Sequence, residues 1–318
     1  MFAPPPVLRT EVFARIPDRY RKAGGLCKER LAAGKGTLLT DCFIEGPAFD
    51  QAGNLYLVDI AFGRIFRVRP DGEIDLVAEY NGEPNGLKVD SQGQLIVADH
   101  KLGLLRIDPA TGSVTPLLQR YRTEGFKGLN DLFFDAGGAL YFTDQGQTGL
   151  QDPSGRVFRQ RPDGPLECLL DGVPGPNGIV VNASRTLLFL AVTRGNCIWR
   201  AMLLPDGALT RVGLHIQLSG GTGPDGLALD SAGNLLVAHA GLGTVWMFSP
   251  RGEPLLRIVS YAGDMTTNLA FGGNDQRDLY ITESHSGCVL RARLEVPGQP
   301  LFSPTKARVV VNAAAVRM

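Results

Sequence analysis

Six times along this chain a polar residue stands five positions ahead of a turn: Glu45 before Asp50, Asn85 before Asp90, Asn130 before Asp135, Asn177 before Asn182, Asp225 before Asp230, and, in a weaker copy, Asn268 before Gly273. The intervals are 40, 45, 47, 48 and 43 residues. A period of this length marks a β-propeller with one blade per repeat. The first repeat shows what each blade holds. Ala48-Phe49 ends a strand, Asp50-Gln51-Ala52-Gly53 has the Asp and Gly of a type I turn, and Asn54 to Val58 is β-prone. Arg64 to Val68 alternates polar and apolar as a half-buried strand does, and Ile74 to Val77 follows the turn Pro70-Asp71-Gly72. The expected fold is all-β: six blades of four antiparallel strands.

The repeats begin near residue 41. Residues 1–40 are expected to close or cover the propeller, and 41–318 to form it. An open sheet edge invites aggregation, so the ring must close. Strand-like segments at Glu11 to Ala14 and Arg308 to Val311 suggest that both ends share one blade. Gly24 to Gly36, rich in Gly, Lys and Arg, reads as a surface loop or cover.

Several function classes fall away on composition. Lys+Arg and Asp+Glu are 32 each, so no bulk charge attracts nucleic acid or an anionic membrane. No apolar run approaches the ~20 residues of a membrane span, and no signal peptide is visible. The five cysteines are scattered without a C-x-x-C pair, which fits buried thiols in a reducing cytoplasm. The oligomeric state is not legible.

In a propeller the innermost strands line a central channel, so the repeat-register residues meet at one mouth. The ring reads Glu45, Asn85, Asn130, Asn177, Asp225 and Asn268: carboxylates and amides, with no sulfur or imidazole. Such hard oxygen donors suit Ca²⁺ or Mg²⁺, with Mn²⁺ as an alternative and Zn²⁺ less natural. Pro84-Asn85-Gly86, Pro176-Asn177-Gly178 and Pro224-Asp225-Gly226 each read singly as turns. Their common register with Glu45 and Asn130 is what argues for a site. Asp131 follows Asn130 directly and is within reach of the same mouth. Asp59, Asp99, Asp144, His239 and Glu283 end second strands, and the three aspartates read as loop caps. His100, His239 and His285 lie in equivalent loops. Asn85, Asn130 and His285 are the candidate substrate contacts. No G-x-S-x-G or repeat-position serine supports a serine nucleophile.

At Glu45-Gly46-Pro47, Gly128-Leu129-Asn130-Asp131, Pro176-Asn177-Gly178-Ile179 and Gly223-Pro224-Asp225-Gly226-Leu227 the sequence resembles the senescence-marker-protein, gluconolactonase and luciferin-regenerating-enzyme family, over about residues 41–295. The resemblance implies a six-bladed propeller with a divalent cation, most often calcium, near the top of the channel. It implies Glu45, Asn177 and Asp225 as metal ligands, Asn130 on metal or substrate, and Asp225 as general base. Asp131 matches a carboxylate with a catalytic role in lactone-cleaving members. Sugar-lactone members often carry Arg two residues before the blade-three Asn, where this chain has Gly128. The expected activity is metal-dependent hydrolysis of a small lactone. The rivals are phosphotriester or aryl-ester hydrolysis at the same site, and a non-catalytic, metal-stabilised binding propeller.

Overall fold

The computed structural model describes residues 4–22 and 40–300. Six antiparallel sheets follow one another along the chain, each running from an innermost to an outermost strand. Blade one is Ile44–Phe49, Leu55–Asp59, Arg64–Val68 and Ile74–Glu79. The innermost strands of blades two to six are Pro84–Val89, Leu129–Phe134, Pro176–Val181, Gly223–Leu229 and Thr266–Gly272. Each packs beside the next, and the sixth packs beside the first, so the ring is closed around a channel.

Closure comes from the N-terminus. Glu11–Arg15 pairs antiparallel with Cys288–Arg293 and becomes the outer strand of blade six. Val7–Arg9 adds a parallel fifth strand to blade five, beside Pro254–Val259. The expected strand at Arg308–Val311 and the expected cover at Gly24–Gly36 lie outside the described residues.

The middle strands depart from simple alternation. Leu55–Asp59, Leu95–Asp99 and Leu140–Asp144 are buried along their whole length. Both faces of each sheet are covered by neighbouring blades, so there is no solvent face to carry polar residues. The core is therefore inter-blade: Tyr141 and Val157 of blade three, Val181 and Phe189 of blade four, and Leu235 and Val237 of blade five share one cluster. Arg64, expected on a half-exposed face, is fully buried. Its Nε donates to Asp59 Oδ2 at 3.0 Å.

Candidate metal and catalytic centre

Every innermost strand carries a β-bulge near its N-terminal end, between Glu45 and Ala48, Pro84 and Gly86, Leu129 and Leu132, Pro176 and Ile179, Pro224 and Leu227, and Thr266 and Asn268. A bulge breaks the ladder and re-aims the side chain it frees. In blades two to five it frees Asn85, Asn130, Asn177 and Asp225; in blade one Glu45, still paired with Val58, stands at the edge of the bulge. The Pro-Asn-Gly and Pro-Asp-Gly tripeptides are thus strand segments, not turns. Pairing also corrects the sixth position: Thr266 faces Glu283 as Pro84 faces Asp99, so Thr267 is the counterpart of Asn85. Asn268 stands one residue further in.

That next position is glycine in four blades: Gly46, Gly86, Gly178 and Gly226. Gly46 has φ +57°, but the other three owe their identity to crowding. A Cβ on Gly86 would lie 2.8 Å from Asp131 Oδ1, and one on Gly178 would lie 2.9 Å from the Gly226 Cα. Neighbouring bulges approach until nothing larger than hydrogen fits. Blades three and six place Asp131 and Asn268 at this inner position.

Hydroxyls fix the bulges from neighbouring blades. Thr143 Oγ1 donates to the Asn177 carbonyl at 2.9 Å, Thr193 Oγ1 to the Pro224 carbonyl at 2.7 Å, and Ser284 Oγ to the Ile44 carbonyl at 2.7 Å.

The side chains so aimed form a compact acidic centre. Glu45, Asn130, Asp131, Asn177 and Asn268 are buried, while Asn85 and Asp225 are half-buried, open to the channel. Glu45 Oε2 accepts from Asn268 Nδ2 at 2.8 Å and from its neighbour Gly46 N at 2.5 Å. Asn130 Nδ2 donates to Gln145 Oε1 at 3.0 Å. Asp131 Oδ1 accepts from Leu132 N at 2.8 Å.

Burial, followed by the Asp131 charge, pushes Glu45 up to about 7. Burial, then Glu45 and Asp131, hold Asp225 well above the usual carboxylate range. Asp131 is raised by burial, eased by the Lys88 ammonium and the Asn268 amide. Asn177 Oδ1 is buried with no hydrogen-bond partner among the described residues, a costly arrangement for an acceptor. Three crowded carboxylates beside an orphaned amide oxygen are a donor set that fits a hard divalent cation.

The other expected residues have different roles. Asp99 accepts from the backbone amides of Glu83, Lys101 and Leu102. Asp144 accepts from Gly128 N and from Arg156. With Asp59 they clasp rim loops, as the loop-cap reading expects. His239 is buried between the Gly220 carbonyl and Trp246 Nε1. His285 stands at the rim between blades six and one, its Nδ1 3.3 Å from Asp264 Oδ1. Asp264, Glu283 and His285 bring ligand-type atoms within 4.8 Å of one another, but Glu283 is already held by Met265 N at 3.0 Å and Ser286 N at 2.8 Å. Among the described cysteines Cys42, Cys197 and Cys288 are buried, and all four are free.

Comparison with known proteins agrees with this architecture. The chain belongs to the SMP-30/gluconolactonase/LRE-like family, whose model matches residues 43–285. A gluconolactonase of Zymomonas mobilis subsp. mobilis is 31% identical over 286 residues, 80% of this chain and 79% of that protein. The lactonase drp35 of Staphylococcus saprophyticus is 30% identical over 252 residues, 73% of this chain and 76% of the relative. Among solved structures, the gluconolactonase XC5397 of Xanthomonas campestris superposes with a TM-score of 0.70 at 28% identity, covering 81% of this chain and 86% of that one.

Proposed function

We propose that this chain is a lactonase that hydrolyses a small cyclic ester at the channel mouth, with a bound divalent cation, Ca²⁺ by preference. The observation that carries the reading is the convergence of Glu45, Asp131 and Asp225 around the unpartnered Asn177 Oδ1. Relatives named gluconolactonase and lactonase, aligned over most of the chain, support the reaction class. Glu45, Asn177 and Asp225 would hold the cation, with Asn130 within reach. When bound, it supplies Lewis-acid polarisation of the ester carbonyl.

The chain's own groups account for the proton. Asp131 is buried at the inner position, and the burial that raises its proton affinity favours it as the group that takes a proton from water. The water oxygen bonds to the acyl carbon. The Asn85 carboxamide, half-buried and making no hydrogen bond of its own among the described residues, would donate to the developing oxyanion. Collapse breaks the ring C–O bond, and Asp131 returns its proton to the departing oxygen. Asp225 keeps the rival claim to the base role through the family resemblance. A ligand carboxylate is the weaker base, because a cation lowers its proton affinity.

The test is turnover of a panel of lactones and aryl esters, with cation saturating and after chelation. Lactone hydrolysis lost on chelation and restored by Ca²⁺ is expected. Turnover that survives full removal of metal, or a trapped acyl-enzyme, overturns the mechanism.

A further inference from the structure

The rim above the centre is uneven in charge. Blades two, three and four present Lys101, Lys127 and Arg194 on the loops of the bulge-bearing face. Lys101 Nζ donates to Asn81 Oδ1 at 2.7 Å and Lys127 Nζ to Ser154 Oγ at 2.8 Å. Both partners are neutral, and among the described residues no carboxylate lies within ion-pair distance of either ammonium.

Arg194 is the best placed of the three. It lies on the short turn Thr193–Gly195. Thr193 Oγ1 bonds to the carbonyl of Pro224, the residue before Asp225, at 2.7 Å. The turn is thereby fastened to the bulge that carries Asp225. Arg194 is exposed, and among the described residues no carboxylate lies within ion-pair distance of its guanidinium. Its stem lies against Gly175, where an added Cβ would be 2.8 Å from Arg194 Cγ. The charge is nevertheless felt at the centre, where it eases the raised Asp225.

Blade three cannot offer the same group. Gly128 has φ +147°, and an added Cβ would lie 2.6 Å from His100 Nδ1, so the imidazole of blade two fills the space a side chain would need.

We propose that Arg194 anchors an anionic group of the substrate, and that the preferred substrates are lactones carrying a carboxylate away from the ester carbonyl. This rests on the lactonase reading above. A guanidinium offers a planar fork that binds a carboxylate in two parallel hydrogen bonds, and it holds its charge at any working pH. Lys101 and Lys127 add a field of the same sign along that side of the rim. Such an anchor binds ground state and transition state alike, so its loss raises KM and leaves kcat nearly unchanged.

The experiment compares D-glucaro-1,4-lactone, which carries a carboxylate, with D-glucono-1,4-lactone, which does not, using the full chain with saturating Ca²⁺. The wild type should show the lower KM for the glucarolactone. Arg194→Ala should raise that KM by about 10-fold or more, as expected for a hydrogen-bonded charge, with little change for the gluconolactone. Arg194→Lys should recover part of the loss. Calorimetric binding of glucarate against gluconate gives a readout independent of turnover, and the glucarate preference should vanish in Arg194→Ala. Equal KM ratios in wild type and Arg194→Ala, or a glucarate preference that survives the substitution, overturn the proposal. If the wild type hydrolyses neither lactone, the wider panel above decides the lactonase reading, and the calorimetry still decides the anchor.

Discussion

Asp131 and Asn268 occupy the same register position on opposite sides of the ring, where the other four blades have glycine. Four small positions and two polar ones are one packing solution. Gly86 leaves room for Asp131, and the Asn268 carboxamide is packed against Gly226. The two side chains floor the centre. Asn268 donates to Glu45 and also eases the charge on Asp131, so it links two carboxylates that would otherwise only repel.

Replacing this amide by a carboxylate should expose that repulsion. Asn268→Asp removes the donor to Glu45 and adds a buried charge. Without cation it should lose on the order of 3 kcal/mol of stability, the scale for an uncompensated buried charge. Urea unfolding in chelator and in Ca²⁺ measures this, and the gap between variant and wild type should narrow with Ca²⁺. A variant as stable as wild type in chelator would deny the floor its role.

Stability of the metal-free protein should fall as pH rises. Glu45 is pushed up to about 7, above its value in the unfolded chain. A carboxyl so raised contributes stability that is fully present below the unfolded value near 4.5 and is lost as pH climbs through about 7. The measurement is unfolding of wild type and Glu45→Gln in chelator from pH 4.5 to 8. Wild type should lose stability relative to the variant, and parallel curves would contradict the assignment.

Glu45→Gln should also weaken cation binding, because affinity at an oxygen-donor site depends on the number of charged ligands. This is read by calorimetry at pH 8, where wild-type Glu45 is ionised. Unchanged affinity would remove Glu45 from the ligand set.

The two candidate bases separate on one comparison. Asp225→Asn should cost both cation affinity and turnover. Asp131→Asn should cost turnover by ~10²–10⁴ with affinity nearly kept, because general-base assistance is typically of that size. Lactone hydrolysis at saturating cation reads this, and full activity in Asp131→Asn would leave Asp225 as the base.

A purely steric prediction needs no metal. Gly178→Ala should destabilise by about 1–3 kcal/mol, the usual cost of overpacking, because its Cβ would meet the blade-five backbone. Gly213→Ala, where nothing lies within 4 Å, should be near neutral. Thermal melts of the two variants make the comparison.

The repeat register was legible because a propeller imposes one period on turns and channel residues alike. Glu45, Asn85, Asn130, Asn177 and Asp225 therefore align by counting back from the turn. Asn268 misled the count. Blade six ends its inner strand without the Asp turn, and only strand pairing reveals that Thr267 holds the ring position. Pro-Asn-Gly also looked like a turn in isolation. Its glycine is dictated by the next blade, a contact far away in sequence. Asp131 and Asn268 replacing that glycine was a visible signal once the position had a meaning. Arg194 had none, since its value comes from the Thr193 bond to another blade.

The strand Glu11–Arg15 gives the assembly a temporal order. Blade six is complete only when a strand that precedes blade one meets strands that follow blade five, and Glu45 and Asn268 are brought together across that same seam, 223 positions apart. The pocket is therefore a readout of circular integrity. A chain whose seam is unpaired holds most of the propeller's blades yet lacks the Glu45–Asn268 bond, and a ligand that clasps both sides of the seam acts as a latch on the entire ring.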